Sequence, residues 1–81
     1  MNFTLKECRE ELKKYGIDEN NTKVTVDRIL LFDVEYKSRI NVWFEDYDIG
    51  FMCSKERSQL KNLAECYNMA LNYFKNLDIK K

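Results

Sequence analysis

Five carboxylates lie in or beside one predicted turn, and they are the residues whose types and spacing could do chemistry. Glu45, Asp46 and Asp48 crowd the turn, and Asp33 and Glu35 are predicted on the adjoining outer face of a sheet. Clustered carboxylates can bind a hard cation or serve as a general acid and base. A D-x-D spacing alone is a weak metal signal, so we interpret this segment as an acidic, solvated turn.

The cysteines are the strongest nucleophiles of the chain, and the sequence predicts that they are inert. Cys8, Cys53 and Cys66 have no C-x-x-C spacing, and no histidine is present to activate a thiol or complete a zinc site. All three fall on predicted core faces, where cysteine packs as a small hydrophobe. The two glycines, Gly16 and Gly50, form no phosphate-binding loop. We therefore predict a non-enzymatic protein with no cofactor and no metal.

Two helices are predicted to flank the strands. Thr4 and Glu7 form a T-x-x-E capping box, and Gly16 is placed to end the first helix in a left-handed conformation. Ser54 is predicted to cap the second helix, and residues 78–81 to form a fraying tail. The apolar stripe of the second helix consists of Leu60, Leu63, Ala64, Tyr67, Leu71 and Phe74.

Residues 22–53 carry the two-residue alternation of apolar and polar side chains that predicts half-buried strands. Arg28 interrupts the first run, so 22–36 is either two short strands or one long bent strand. We predict a single domain over residues 1–81 of the α+β class. It is a two-layer sandwich in which an antiparallel three- to four-stranded sheet carries an N-terminal and a long C-terminal helix on one face, in the order α-β-β-β-α.

The alternation also predicts how the strands pair, because a slip of one residue would turn every apolar set outward. A first hairpin through "YKSR", residues 36–39, is predicted to pair Val34 with Ile40, Phe32 with Val42, and Leu30 with Phe44. A second hairpin through "EDYD", residues 45–48, is predicted to pair Phe44 with Ile49, Val42 with Phe51, and Ile40 with Cys53.

The only tryptophan, Trp43, is predicted on the sheet face opposite to both helices, with Leu31 and Met52 as neighbours and Gly50 beneath the indole. Three interpretations are open. The indole shields bare glycine backbone, the patch is buried by self-association in a homodimer, or it docks another protein. The predicted partner-binding residues are Leu31, Asp33, Glu35, Trp43, Glu45, Asp46, Tyr47, Asp48 and Met52.

The charge balance bears on the kind of partner. The chain has 14 acidic and 14 basic residues, whereas nucleic-acid binders usually carry a basic excess, and the acidic rim of the Trp43 face favours a basic-surfaced protein. No apolar run approaches the roughly 18 residues of a membrane span, and residues 1–4 lack the features of a signal peptide. We therefore expect a cytoplasmic protein, in a microbe or in the host cell of a phage.

Compact chains of this size and composition that lack catalytic residues are common among phage and mobile-element inhibitors of bacterial defence, including anti-CRISPR proteins. On that analogy of type, the leading prediction is a protein-binding inhibitor that blocks a larger protein sterically. Trp43 would be the anchor, and the acidic turn would steer the encounter.

The start of the second helix supports an alternative prediction. The segment "GFMCSKERSQLK", with the order helix, three strands, helix over most of the chain, resembles double-stranded RNA-binding domains. The resemblance implies contacts to duplex phosphates from Ser54, Lys55, Arg57 and Lys61. Glu56 and Gln59 stand where the family has lysines, and the family's Gly-Pro-His loop is missing.

Overall fold

The described residues of the chain form two helices and three strands. A computed structural model describes residues 3–31, 35–55 and 58–79, and the side chains of 3–27, 38–55 and 58–77. The elements are α1 (Leu5–Lys13), β1 (Thr22–Leu31), β2 (Glu35–Phe44), β3 (Ile49–Cys53) and α2 (Gln59–Ile79). Short 3-10 turns, Glu19–Asn21 and Glu45–Tyr47, precede β1 and β3. The predicted α+β class and α-β-β-β-α order are confirmed.

The three strands form one antiparallel sheet in the order β1-β2-β3, and both helices lie on one face of it. Helix α2 packs on β2 and β3, and α1 packs against α2. Phe44 of β2 and Phe74 of α2 meet edge to face with their ring centroids 5.8 Å apart, and the ring of Tyr15 also lies 5.8 Å from that of Phe74. The core is therefore centred between α2 and the middle strand.

The predicted signals at both ends of α1 are confirmed. The Thr4 hydroxyl accepts the Glu7 N–H at 3.2 Å, and the Glu7 carboxylate accepts the Thr4 N–H at 3.0 Å. These hydrogen bonds lower the pKa of Glu7, and the one from the Thr4 backbone N–H has the largest effect. Gly16 has a φ of 80°, and the Ile17 N–H donates to the Leu12 carbonyl at 3.2 Å, which is the Schellman ending.

The predicted start of the second helix is wrong. Helix α2 begins at Gln59, and the Ser58 hydroxyl accepts the Lys61 N–H at 3.4 Å. Ser54 directly follows β3 instead. An earlier start would bury little additional apolar surface, because even Leu60 in the first turn is exposed and is not part of the buried stripe. The predicted fraying tail is also partly wrong, since the helix continues through Ile79.

The predicted register of the first hairpin is wrong as well. Val24 lies opposite Val42 and Val26 opposite Ile40, so residues 36–39 belong to β2 and form no turn. The predicted partners Phe32 and Val34 lie outside the described residues. Both registers keep the same residues on the same face, so alternation could not separate them. The observed register pairs ten residues of each strand, which satisfies more backbone groups.

The predicted register of the second hairpin is confirmed. Its aligned pairs are Phe44 with Ile49, Val42 with Phe51, Ile40 with Cys53, and Trp43 with Gly50. The turn ends at Asp48, which has a left-handed φ of 53° and donates its N–H to the Glu45 carbonyl at 3.3 Å. Aspartate is one of the few residues besides glycine that adopts this conformation readily.

Two buried asparagines anchor α2, and neither is predicted by the alternation of apolar and polar residues. The Asn68 amide accepts the Phe3 N–H at 2.8 Å and donates to the Phe3 carbonyl at 2.9 Å. The Asn62 amide donates to the Ser38 carbonyl of β2 at 3.0 Å. Buried polar groups need such partners, so these bonds fix α2 against the N-terminal segment and the sheet.

Candidate protein-binding surface

Among the described side chains of the sheet face opposite to the helices, here called the outer face, two are large, apolar and in contact with solvent. Trp43 is 41% exposed and Met52 is 62% exposed. The prediction that the indole lies on the open face is therefore confirmed. Trp43 lies opposite Gly50, and Met52 lies opposite Asn41. The two exposed side chains are therefore diagonal neighbours on adjacent strands.

The indole covers Gly50 closely. A Cβ atom placed on Gly50 would lie 2.7 Å from Cε3 of Trp43 and 3.3 Å from the Val42 carbonyl oxygen. Only glycine fits this contact without displacing the ring, so the predicted cover of bare glycine backbone is present. The contact holds the indole against β3, while Trp43 as a whole stays partly exposed to solvent.

The neighbours of Trp43 on β1 differ from those predicted. Lys23 lies opposite Trp43, whereas Leu31 pairs with Glu35 at the other end of the hairpin. Trp43 lies eight residue steps along β2 from Glu35, a distance of about 26 Å at the usual rise per residue. Leu31 and Glu35 therefore do not border the indole, and Asp33 lies outside the described residues.

The acidic turn is held against the rest of the molecule. The Glu45 carboxylate lies 3.3 Å from the Lys23 ammonium, and the Asp46 carboxylate accepts the Asn21 amide at 2.7 Å. The Tyr47 hydroxyl donates to the Tyr15 carbonyl at 2.6 Å. The Tyr47 ring also packs 4.6 Å from that of Phe74, so Tyr47 supports the turn in addition to being partly exposed.

These contacts bring a second acidic segment to the turn, and the sequence interpretation missed it. Asp18 caps the 3-10 turn before β1, and the next residue, Glu19, is also acidic. The bond from Asn21 to Asp46 ties this loop to residues 45–48. The carboxylates of this region, here called the acidic end, are Asp18, Glu19, Glu45, Asp46 and Asp48. The nearby cations among the described residues are Lys23 of β1 and, in the groove that Asp18 and Glu19 line, Arg9 and Lys13.

The thiols are buried, as predicted. Cys8, Cys53 and Cys66 are all free and enclosed in the core. Burial raises the pKa of Cys66 to about 11 and also raises the pKa of Cys8, so both stay protonated near neutral pH. Over the ranges that the structure describes, no three Cys, Asp or Glu side chains are grouped to hold a metal ion.

The residues predicted for RNA contact are only partly brought together. Lys55 and Lys61 line a shallow groove of about 420 Å³ that also includes Glu65. Ser54 lies before the helix rather than at its start, and Arg57 is outside the described residues. The groove therefore holds two lysines and one carboxylate, a weaker basic surface than a row of lysines at a helix start.

The fold and surface define an α+β domain with one helix-covered face and one open face. Comparisons with protein-family models, with curated proteins and with solved structures found no match to this chain. In the parts of the chain described, no helix has the length and apolarity needed to cross a membrane. The described features that bear on function are the outer face and the acidic end.

Proposed function

We propose that the chain is a small, non-enzymatic protein-binding module that docks through its outer face onto a larger protein with a basic surface. The observation that supports this proposal is the exposure of Trp43 and Met52 on a sheet face that no described element covers. Apolar side chains rimmed by polar groups are typical of interaction sites.

Trp43 is the anchor of this surface. A tryptophan buries roughly 150–250 Å² when it is enclosed, and tryptophan is enriched among the residues that dominate binding energies. The contact with Gly50 already restricts the indole in the free protein. Docking then costs less side-chain entropy than it would for a freely rotating ring.

The acidic end supplies the charge that selects the partner. Lys23 is already paired with Glu45, and Arg9 and Lys13, which line one groove with Asp18 and Glu19, offset only part of the five negative charges. Such a surface attracts a basic partner and repels an acidic one, mainly through the rate of encounter. A protein that handles nucleic acid has a surface of this kind.

The mode of action that we propose is steric occlusion of the partner. A chain of 81 residues can cover a substrate-binding surface of a larger protein without acting on it chemically. Inhibition of the kind found in phage and mobile-element proteins, including anti-CRISPR proteins, stays a prediction that follows from size and composition.

The test has two steps. A binding protein is captured from the natural host, and its affinity is then measured for the wild-type chain and for a set of variants of the chain. Trp43→Ala is expected to weaken binding by about 2 kcal/mol or more, which is roughly 30-fold in Kd. Leu77→Ala is the matched control, because Leu77 is 39% exposed but lies on α2, away from the outer face. Trp43→Phe keeps an aromatic ring over Gly50. It therefore shows whether a loss of binding in Trp43→Ala comes from the missing indole or from unfolding of the sheet at Gly50.

Equal binding by wild type and Trp43→Ala, with both folded, would overturn the assignment of the outer face. Retention on duplex RNA that disappears in the Lys55→Glu/Lys61→Glu variant would replace the proposal with the RNA-binding alternative. Binding of that kind is expected to weaken steeply with salt concentration.

A further inference from the structure

The outer edge of β1 is open for pairing with another strand. Within the described residues, β1 pairs with β2 on one side, and Lys23 through Asp27 are exposed. The strand has ten residues, contains no proline, and runs in continuous register with β2. Exposed edges are usually shortened, bulged, or blocked with proline or with charges. Strand β1 is neither short nor bulged nor blocked with proline, and its described charges, Lys23 and Asp27, are of opposite sign.

We propose that two copies of the chain pair through the outer edges of β1 to form a continuous six-stranded antiparallel sheet, with Thr25 on the two-fold axis. The proposal goes beyond the docking function, because the edge of the sheet and its outer face are different surfaces. A second copy is the occupant that the sequence of β1 itself fits.

The fit follows from the order of residues around Thr25. In this register Lys23 of one copy lies opposite Asp27 of the other, and Val24 lies opposite Val26. Opposite charges and β-branched side chains are favourable cross-strand pairs. Val24 and Val26, both nearly half exposed in the monomer, would then cover each other on the helix-facing side.

The charged pairs within each copy complete the match. On the outer face, Arg39 lies 3.0 Å from Asp27, and Lys23 lies 3.3 Å from Glu45. Placing Asp27 of one copy beside Lys23 of the other would join these two ion pairs into a row of alternating sign. The two-fold axis generates the row twice.

Other symmetric registers lack this match. Centring the pair on Lys23 or on Asp27 would place like charges opposite each other, which is unfavourable. Centring it on Val24 or on Val26 would leave the charges opposite uncharged residues. The Thr25 register is therefore the one in this part of β1 that pairs opposite charges and apolar side chains together.

The other edge of the sheet is less suited to a second copy. Strand β3 has five residues, Ile49–Cys53, and no charged side chain among them. It also contains Gly50, which weakens a strand. A two-fold axis at β1 places the helices of both copies on one side of the long sheet and both outer faces on the other, so Trp43 stays open for docking.

The first experiment tests the register by disulfide crosslinking of the full chain under mild oxidation. Thr25→Cys places two thiols at the axis, where opposed Cβ atoms lie about 4.5–5.5 Å apart. It is expected to give a crosslinked dimer, and the three native cysteines are buried and contribute little background. Lys23→Cys is the matched control, because its thiols would be about 13 Å apart in this register. Combining Lys23→Cys with Asp27→Cys is expected to restore the crosslink.

The second experiment measures mass by sedimentation over a range of concentrations. Wild type is expected to approach twice 9.8 kDa, and Val26→Lys to stay monomeric because it places an ammonium in the paired valine stripe. Leu77→Lys, a control at a site of α2 that is 39% exposed, against 47% for Val26, is expected to dimerise like wild type. A wild type that is monomeric up to millimolar concentration, or Lys23→Cys crosslinking as fast as Thr25→Cys, would overturn the proposal. A Val26→Lys variant that dimerises normally would also do so.

Discussion

Strands β1 and β2 are paired residue for residue, yet their helix-facing side chains have opposite surroundings. Val24 and Val42 are the same residue, lie directly opposite each other and point to the same side of the sheet. Val42 is 1% exposed, whereas Val24 is 45% exposed. Alternation therefore decides which way a side chain points, and the position of the helices decides whether it is buried.

The position of α2 explains the difference. Its anchors reach the middle strand, because Asn62 donates to the Ser38 carbonyl and the Cys66 thiol donates to the Ile40 carbonyl at 3.6 Å. Helix α1 packs on α2 rather than over β1. An open groove of about 370 Å³, lined by Leu12 and Tyr67 among others, extends from the helices to the start of β1 at Thr22.

The largest effect should come from truncating the two opposed valines. Val42→Ala removes buried methyl groups and is expected to lower the free energy of unfolding by about 2 to 3 kcal/mol. Val24→Ala should cost about 0.5 kcal/mol or less, as is usual for surface changes. Chemical denaturation at a concentration where the chain is monomeric measures both.

Equal losses in the two variants would show that β1 is covered to the same extent as β2. That result would contradict the exposed edge on which the proposed second copy pairs. A loss in Val24→Ala that appears only at high protein concentration would instead support pairing through β1.

The sequence predicted the part of the fold where local signals are strong. Thr4, Glu7 and Gly16 mark the ends of α1, and Trp43 and Met52 were placed on the outer face by alternation alone. The short turn at 45–48 leaves few ways to pair its two flanking strands, so that register was also correct. In these places the local sequence and the tertiary structure agree.

The sequence failed where the answer depended on long-range contacts. A shift of eight residues in the pairing of the first hairpin keeps each side chain on the same face of the sheet. The alternation of apolar and polar residues in 22–44 therefore does not exclude it. The residue opposite Trp43 is therefore Lys23, and not the predicted Leu31. Asp18 and Glu19 were missed at the acidic end, because only the bond between Asn21 and Asp46 shows that the two segments meet.

A second test removes one anchor of α2 to the covered strand. Asn62→Ala leaves the Ser38 carbonyl without its amide donor and is expected to cost about 1 to 2 kcal/mol, the usual penalty for an unmatched buried polar group. Asn72→Ala is the matched control, because Asn72 is exposed on the same helix. Alanine there should be neutral or stabilise slightly through its higher helix propensity. Thermal and chemical unfolding of the two variants, if they proved equally stable, would contradict the role of Asn62 as an anchor.

The smallest expected effect is a pH dependence that reports burial on the covered side of the sheet. Burial raises the pKa of Cys66 from 9.0 to about 11. Between these values the unfolded chain loses the thiol proton while the folded chain keeps it, so the stabilising contribution is complete below pH 9 and is lost as the pH rises towards 11. From pH 9 to pH 10 the loss should be about 1 kcal/mol. The comparison is with Cys66→Ala, which removes this thiol and keeps every other ionisable side chain, so the difference between the two pH profiles isolates the thiol. Parallel profiles would mean that water reaches Cys66 in the folded state. In that case α2 would not exclude water from β2, and the contrast between a covered β2 and an open β1 would be lost.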